Sequence, residues 1–262
     1  MRFNTLLNYS KFIIKNFFRI LYPSSKENIL LCFKLSITFL IKEFIFQIYK
    51  KKYIHYEVQH RKFIKENLSF HKNEDWFSHN ICYWCHAFIK KLSNKNINIL
   101  EIGNYEGNST VFLLKEIPNS KIKCVDSFSS YNELQQGNDF DAVYNNFLSN
   151  TLPYKERVTI FKMKSNDFFS LKMNSDEDFK NEKYDLIYID GSHIYSDVLN
   201  DANSAISLLN ENGILIFDDF FWMHYPKINN NPMGAIKKFL ENNIKNLKIL
   251  SISHQIIFQK IN

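Results

Sequence analysis

The sequence predicts an α/β domain with a seven-stranded, mostly parallel sheet, helices on both faces and a C-terminal antiparallel hairpin, preceded by an α-helical extension. Apolar runs of four to seven residues recur after residue 95, and helical stretches separate the first five of them. The last two runs are joined by Ser253 and His254 alone. Helical crossovers connect parallel strands, whereas so short a connection requires antiparallel pairing.

Composition places the chain among globular proteins, because 262 residues, 45% of them hydrophobic, can fill a large core. The four cysteines are too few for a disulfide scaffold, which predicts a reducing, cytoplasmic location. Residues 1–54 hold ten Lys or Arg and two Glu, so the remaining chain has a net charge of −2. Nucleic acid is therefore not expected as a partner, since binding it needs clustered positive charge on the binding domain.

The pattern of basic and apolar residues over residues 1–70 predicts a basic amphipathic helical extension. Lys11, Lys15 and Arg19 recur every four residues among apolar side chains, and a second, mostly apolar helix is expected over residues 29–49. Neither a transmembrane span nor a signal peptide is expected, because the longest uncharged run of the second helix is far shorter than the roughly 20 residues that cross a bilayer.

Two interpretations of residues 1–50 stay open at this point. The basic, apolar helices suit peripheral contact with an anionic membrane surface. They equally suit a hairpin that packs on the following domain or in the interface of a homo-oligomer.

The stretch His79–His86 contains Cys-x-x-Cys-His, the pattern of haem c attachment, and four possible zinc ligands. Ile81, Trp84 and Phe88 repeat at helical spacing in the same stretch. We therefore predict a helix packed inward, in which the cysteines act as small apolar residues, with zinc and haem as remote alternatives.

The segment Ile97–Ile102 is predicted to be a buried strand that runs into a turn bracketed by Gly103 and Gly107. Ser109 and Thr110 are expected to cap the helix that follows. Glycine permits positive φ and lets a ligand approach the backbone, so the turn predicts a cofactor cradle. Its spacing is not the G-x-G-x-x-G of dinucleotide folds, and it lacks the lysine of a P-loop, which argues against nicotinamide cofactors and ATP.

Further strands are predicted at Lys121–Asp126 and Val158–Phe161. Asp126 ends the first of these about 20 residues beyond the glycine turn, where a carboxylate can accept hydrogen bonds from two ribose hydroxyls. Ser165 and Asn166 follow the second strand, where they can bond an adenine edge or simply cap a helix.

Two more strands, Tyr184–Asp190 and Ile214–Phe217, end in polar residues, the second in Asp218 and Asp219. The helix between them is expected to end at a cap formed by Asn212 and Gly213. Ligands of open parallel sheets bind beyond the carboxyl ends of the strands, so these ends predict the active edge.

The side chains Asp190, Asp218 and Asp219 form an oxygen-rich set at this edge, which suits Mg²⁺ or a similar cation. One or more of them merely capping a helix is the alternative. His193 stands three residues after Asp190 and is the candidate base, because an imidazole titrates near neutrality.

Four segments resemble known methyltransferase motifs. Glu101–Ser109 resembles the cofactor loop of catechol-type O-methyltransferases, and Val158–Asp167 resembles their adenine-side strand and turn. Ile189–His193 and Phe217–Phe220 are similar to motifs of methyltransferase family 24, whose relatives act on sugars of macrolides and glycans. Residues 71–262 therefore resemble a class I, Rossmann-like S-adenosylmethionine-dependent methyltransferase domain. Residues 1–70 are the predicted helical extension that precedes it.

The resemblance implies roles for the predicted site residues. The methionine part of S-adenosylmethionine would be held by the turn, the ribose by Asp126, and the adenine by Ser165 and Asn166. The residues implied for the turn are Glu101, Gly103, Tyr105, Gly107 and Ser109. Asp190 would serve the cofactor, catalysis and metal, with Asp218 and Asp219 as further metal ligands. His193 occupies the place of the catechol enzymes' lysine base, as in macrolide sugar methyltransferases.

The expected activity is O-methylation of a hydroxyl on a sugar, glycan or other small polyol, with S-adenosylmethionine and a divalent metal. The alternative is a catalytically degenerate methyltransferase fold that acts as a membrane-associated binding protein, because fold alone does not fix function.

Overall fold

The computed structural model describes residues 3–22, 28–71, 75–130 and 139–261, with side chains from residue 8 onward. The strands are β1 (Ile97–Ile102), β2 (Ser120–Asp126), β3 (Val158–Lys162), β4 (Tyr184–Ile189), β5 (Leu209–Phe217), β6 (Leu247–Ile252) and β7 (Ile256–Lys260). The α-helices are α1 (Phe3–Leu21), α2 (Ile29–Asn67), α3 (Ile81–Trp84), α4 (Lys90–Leu92), α5 (Asn108–Glu116), α6 (Phe140–Thr151), α7 (Ser165–Met173), α8 (Glu177–Asn181), α9 (Tyr195–Leu208) and α10 (Pro232–Asn243).

The seven strands form one sheet in the order β3-β2-β1-β4-β5-β7-β6. Strands β1 to β5 pair in parallel, and β7 pairs antiparallel with both β5 and β6. The predicted fold class is therefore confirmed. The chain progresses outward from β1 in both directions, so the crevice beyond the carboxyl ends of β1 and β4 is the switch point of the sheet, where such folds bind ligands.

The apolar strands form a sheet that is covered on both faces. One hydrophobic cluster contains Leu100 of β1 and Leu215 of β5. The other contains their neighbours in the same strands, Ile99 and Ile216. Successive side chains of a strand point to opposite faces, so each strand contributes to both clusters. This double burial explains why the strands read as nearly continuous apolar runs.

The N-terminal helices pack on the domain through their inner faces. Ile20, Leu35 and Phe39 are completely buried in one of the two clusters. The Lys237 ammonium on α10 donates to the carbonyl oxygen of Tyr22, 2.8 Å away, just after α1. The phenyl ring of Phe12 lies edge-on to another aromatic ring, that of Phe221. No described helix is long and apolar enough to cross a membrane.

Two predicted helix caps are wrong. The N-cap of α5 is Gly107, at φ +82°, so Ser109 and Thr110 lie inside the helix. Their hydroxyls donate instead to Glu101, which gives these polar groups another partner. Helix α9 ends at Leu208, and β5 begins at once, so Asn212 and Gly213 lie within that strand at a shift in its pairing with β4.

The stretch with the Cys-x-x-Cys-His pattern is buried, as predicted. It comprises α3, a π-helical turn (Cys85–Ile89) and α4. Trp84 is completely buried, and Cys82 and Cys85 are buried free thiols. Among the described residues, the group of possible metal ligands that lie close together is Asp190, His193 and Asp219, which is outside this stretch.

Candidate active site

The glycine turn is held beneath by two carboxylates. Asp126, at the end of β2, accepts hydrogen bonds from the backbone N–H groups of Asn104 at 2.8 Å and Tyr105 at 2.9 Å. It accepts a third from the N–H of Phe128, 2.7 Å away. The predicted ribose ligand is therefore also the group that fixes the shape of the turn, and one oxygen keeps a lone pair for a further donor.

Glu101 lies completely buried behind the same turn. Its carboxylate accepts from the hydroxyl of Ser109 at 2.5 Å and of Thr110 at 2.6 Å. Burial raises the pKa of Glu101 to about 7, although the two hydroxyls favour the charged form. Glu101 thus supports α5 and the turn from within, and its predicted contribution to cofactor binding stays a prediction.

Gly103 and Gly107 both have positive φ, as the turn prediction requires. The reason that Gly103 has no side chain differs from the expected one. A Cβ there would lie 2.0 Å from the carbonyl oxygen of Asp190, so the space is filled by the backbone after β4. A backbone hydrogen bond joins the end of β1 to the end of β4, since the N–H of Asp190 donates to the Ile102 carbonyl oxygen. Gly103 therefore joins the turn to the carboxylate edge.

Ser165 and Asn166 begin α7 and line the same cavity as the glycine turn. Asp201, on α9, is buried and bonded to the side chain of Ser165. Burial raises the pKa of Asp201 to about 7. This carboxyl group positions Ser165, and sequence reasoning missed it because Asp201 sits mid-helix, far from any motif.

The structure brings Asp190, His193 and Asp219 together. Among the described residues they form the group of possible metal ligands, with ligand atoms within 4.8 Å of one another. His193 Nε2 contacts a carboxylate oxygen of Asp219, and the imidazole lies 4.6 Å from the ring centroid of Trp222. Asp219 has φ +55°, a left-handed conformation that is uncommon for aspartate and that typically marks a constrained functional position.

Asp218 makes different contacts. It accepts from the Tyr188 hydroxyl, and from the side-chain amide of Gln255 at 2.7 Å. The same hydroxyl lies 2.9 Å from Asp190. Gln255 is itself held by the indole N–H of Trp84, 2.5 Å from its amide oxygen. A buried chain of hydrogen bonds thus runs beneath the carboxylates and fixes their positions.

No sequence pattern predicts this chain of hydrogen bonds. Tyr188 reads as an apolar strand residue, Trp84 as part of a buried helix, and Gln255 as the start of the last strand. Gln255 actually lies in the connection between β6 and β7. Only the three-dimensional pairing of β5 with β7 brings it under Asp218.

The carboxylates at this edge repel one another. Burial, with the charges of Asp218 and Asp219, raises the pKa of Asp190 well above its ordinary value. Burial and Asp219 raise the pKa of Asp218 to about 6. A bound cation would relieve this repulsion, and carboxylate oxygens are the donors that hard divalent ions prefer. The residues present therefore fit a divalent cation.

A single cavity of about 1360 Å³ connects the glycine turn with the carboxylate edge. Its lining includes the predicted residues Gly103, Tyr105, Ser109, Asp126, Ser165, Asn166, Asp190, His193, Asp218 and Asp219. Of the predicted set, Glu101 and Gly107 stand outside this lining. Asp126 ends β2 and Asp218 follows β5, three strand spacings away, or about 14 Å. The cavity therefore has room for a nucleoside cofactor at β2 and an acceptor near β5.

The N-terminal extension forms part of the cavity wall. The lining residues from the extension are Tyr9 and Phe12 of α1, and Gln47 and Lys50 of α2. Tyr9 donates to the buried carboxylate of Glu43, 2.7 Å away. Sequence motifs could not reveal this contribution, because residues 1–70 match no known family motif.

The sheet order, the glycine turn after β1 and the acidic residues at the ends of β2, β4 and β5 define a class I methyltransferase fold. Residues 100–220 match the family model described as "Methyltransferase domain". This stretch of the chain is therefore similar to methyltransferase family 24. No curated protein is significantly similar to the chain.

Solved structures agree with this fold. MycE methyltransferase from the mycinamycin biosynthetic pathway, in complex with Mg, SAH and mycinamycin VI, is 13% identical with a TM-score of 0.52, over 72% of this chain and 50% of that one. An O-methyltransferase from Bacillus cereus in complex with SAH is 14% identical with a TM-score of 0.53, over 79% and 91%. The chain thus aligns with half the length of MycE. At such identities the similarity establishes the fold alone.

Proposed function

We propose that the protein is an S-adenosylmethionine-dependent O-methyltransferase whose acceptor is a hydroxyl of a sugar, glycan or other small polyol. The observation that carries the proposal is the continuous cavity from the Asp126-braced glycine turn to the paired His193 and Asp219. The aromatic rings of Phe12, Trp76 and Trp222 line this cavity together with polar groups, and Trp222 lies against His193. Such a mixture of rings and hydrogen-bonding groups suits an acceptor with apolar faces and several hydroxyls.

S-adenosylmethionine supplies the methyl group in an activated sulfonium form, so the chain has to align the acceptor and remove its proton. The acceptor oxygen forms a bond to the methyl carbon while the sulfur–methyl bond breaks, which leaves S-adenosylhomocysteine and a methyl ether. His193 takes the hydroxyl proton. Asp219 holds the imidazole in place and stabilises its charged form, as carboxylates do for catalytic histidines.

A divalent cation, most simply Mg²⁺, would be held by Asp190, Asp218 and Asp219 and would act as a Lewis acid on the acceptor hydroxyl. This assignment leaves His193 as the base. Binding of Mn²⁺ in place of Mg²⁺, followed by electron paramagnetic resonance, distinguishes the roles. We expect His193→Ala to keep Mn²⁺ affinity and Asp218→Asn to lose it. The reverse result would make His193 a ligand and remove it as the base.

The first test of the function is calorimetric titration with S-adenosylhomocysteine, in Mg²⁺ and then in EDTA. We expect saturable binding, weakened about tenfold in Asn166→Ala, which removes one hydrogen bond at the adenine side. Asn174→Ala, at the other end of α7 and exposed, is the matched control and should bind like wild type. No binding in either buffer would favour the non-catalytic alternative.

An acceptor screen that begins with sugars follows, with S-adenosylhomocysteine release as the assay. His193→Ala should abolish turnover of an accepted sugar and leave S-adenosylhomocysteine affinity unchanged. Unchanged turnover in this variant would refute the role of His193 but not the methyltransferase activity. If only non-hydroxyl acceptors turned over, the sugar class would be wrong.

A further inference from the structure

The outer face of α2 carries a continuous row of exposed apolar side chains. The row, called the α2 stripe, consists of Leu30, Phe33, Ile37, Ile41, Phe44 and Ile48. These residues recur every three or four positions over five turns, so they lie on one side of the helix for about 27 Å. Leu30 is 80% exposed and Phe44 is 70% exposed. A row of this size and exposure exceeds the scattered apolar residues of an ordinary surface.

Basic residues flank the α2 stripe. Lys34 lies beside it on α2 and is exposed. Lys42, on the same helix, is close enough to Lys91 and Lys248 for their charges to act on it. None of these four ammonium groups forms an ion pair with a described acidic residue. The lysines on this side of α2 are therefore not balanced by ion pairs with described acidic residues.

The described parts of α1 and of the first half of α2 carry few acidic side chains. Between Tyr9 and Tyr56, the described residues include one carboxylate, that of Glu43. Glu43 is buried and accepts hydrogen bonds from the hydroxyls of Tyr9 and Tyr83. Because Glu43 is buried, this part of α2 presents no described carboxylate on its outer face.

We propose that the α2 stripe and its flanking lysines dock on an anionic lipid surface. Apolar side chains that enter the headgroup region, with lysines at the level of the phosphates, are the arrangement of interfacial helices. A second copy of the chain fits less well. Two α2 stripes related by a two-fold axis would place their lysines against each other, without an acidic partner to balance them.

Helix α1 repeats the pattern beside α2. Ile14 and Phe18 are exposed by more than half, and Lys11 and Lys15 are exposed next to them. The two helices touch, since the Ser36 hydroxyl of α2 lies 3.4 Å from the Phe17 carbonyl oxygen of α1. Because their inner faces line the cavity, lipid docking would hold that wall of the cavity near the membrane.

Vesicle co-sedimentation tests the proposal with the full-length protein. Vesicles of equimolar phosphatidylcholine and phosphatidylglycerol should bind it, and vesicles of phosphatidylcholine alone should bind it much more weakly. Ionic strength of about 1 M, where the Debye length is roughly 3 Å, should release most of the bound protein. Equal binding to both vesicles, or binding to neither, would overturn the proposal.

Surface variants separate the apolar contribution from the charge contribution. Phe44→Glu should lower partitioning at least about tenfold, because it removes an inserted ring and adds a repelled charge. Lys34→Gln with Lys248→Gln should lower it by roughly 25-fold, about fivefold for each lysine. Leu152→Glu is the control, since Leu152 is 63% exposed but lies next to α6, outside α1 and α2. It should leave partitioning unchanged.

Unchanged S-adenosylhomocysteine affinity, or an unchanged urea midpoint if that ligand does not bind, shows that the variants are folded. Sedimentation velocity completes the test. A dimer of the wild type that Phe44→Glu dissociates, with no vesicle binding, would assign the α2 stripe to a second copy and refute the lipid surface. Equal loss of partitioning in Leu152→Glu would also refute it.

Discussion

The buried Glu101 should make the stability of the fold depend on pH in a way that Glu101→Gln removes. Burial raises its pKa from the ordinary 4.5 to about 7. The native state therefore holds the proton more tightly than the unfolded state. The resulting stability is fully present below pH 4.5 and is lost as the pH rises through 7, because the unfolded chain ionises first.

The size of the effect follows from the distance between the two pKa values. Each pH unit between them corresponds to about 1.4 kcal/mol, so the free energy of unfolding should fall by roughly 3 kcal/mol across this window. Glutamine fills the same space, stays neutral, and can still bond the Ser109 and Thr110 hydroxyls. The variant should therefore gain about 3 kcal/mol relative to wild type between pH 4.5 and pH 8.

Urea unfolding at a series of pH values, monitored by the fluorescence of the buried Trp84, measures this difference. Titrating groups that do not interact with Glu101 act on both proteins alike, so the difference between the two curves reports Glu101 together with nearby groups such as Asp126. The exposed Glu156→Gln is the control and should follow wild type throughout. If the curve of Glu101→Gln runs parallel to that of wild type, the reasoning about burial is refuted.

Three further predictions concern the same core. Gly103→Ala should cost more than about 3 kcal/mol of unfolding free energy, because its Cβ would collide with the Asp190 carbonyl. Gly191→Ala should cost less, because the nearest neighbour of its Cβ would be the Ile102 side chain, 3.3 Å away, and urea midpoints compare the two variants. Trp84→Phe should lower stability by about 1–3 kcal/mol in the same assay, since the amide oxygen of Gln255 loses its donor; a loss equal to that of a surface change would contradict this. A thiol reagent at pH 8 should label none of the four buried cysteines in the native protein and all four in urea, because burial raises the pKa of Cys82 to about 12; rapid native labelling would contradict it.

The sheet was predictable because each strand carries its own local signal. The β1 run from Ile97 to Ile102 is apolar enough to be buried on both faces, and the glycine turn after it needs the positive φ that glycine supplies at two positions. Acidic residues at strand ends could also be placed on one edge, because parallel strands align their carboxyl ends.

What sequence reasoning missed depends on contacts between distant segments. The Ser109 and Thr110 hydroxyls resemble helix caps until the neighbouring Glu101 is seen to accept them both. The pairing of His193 with Asp219, and the turning of Asp218 towards Gln255, likewise depend on strands that meet only in the folded sheet. Local patterns place such residues at the correct edge but do not say which of them face one another.

The long α2 helix makes the extension inseparable from the fold. Truncation before residue 71 would uncover the core against which Leu35 and Phe39 pack, and would remove Gln47 and Lys50 from the cavity wall. A fragment that retains the whole core and the whole cavity wall therefore includes both N-terminal helices. A shortened chain that kept the glycine turn and the carboxylates at the sheet edge would still have an incomplete cavity.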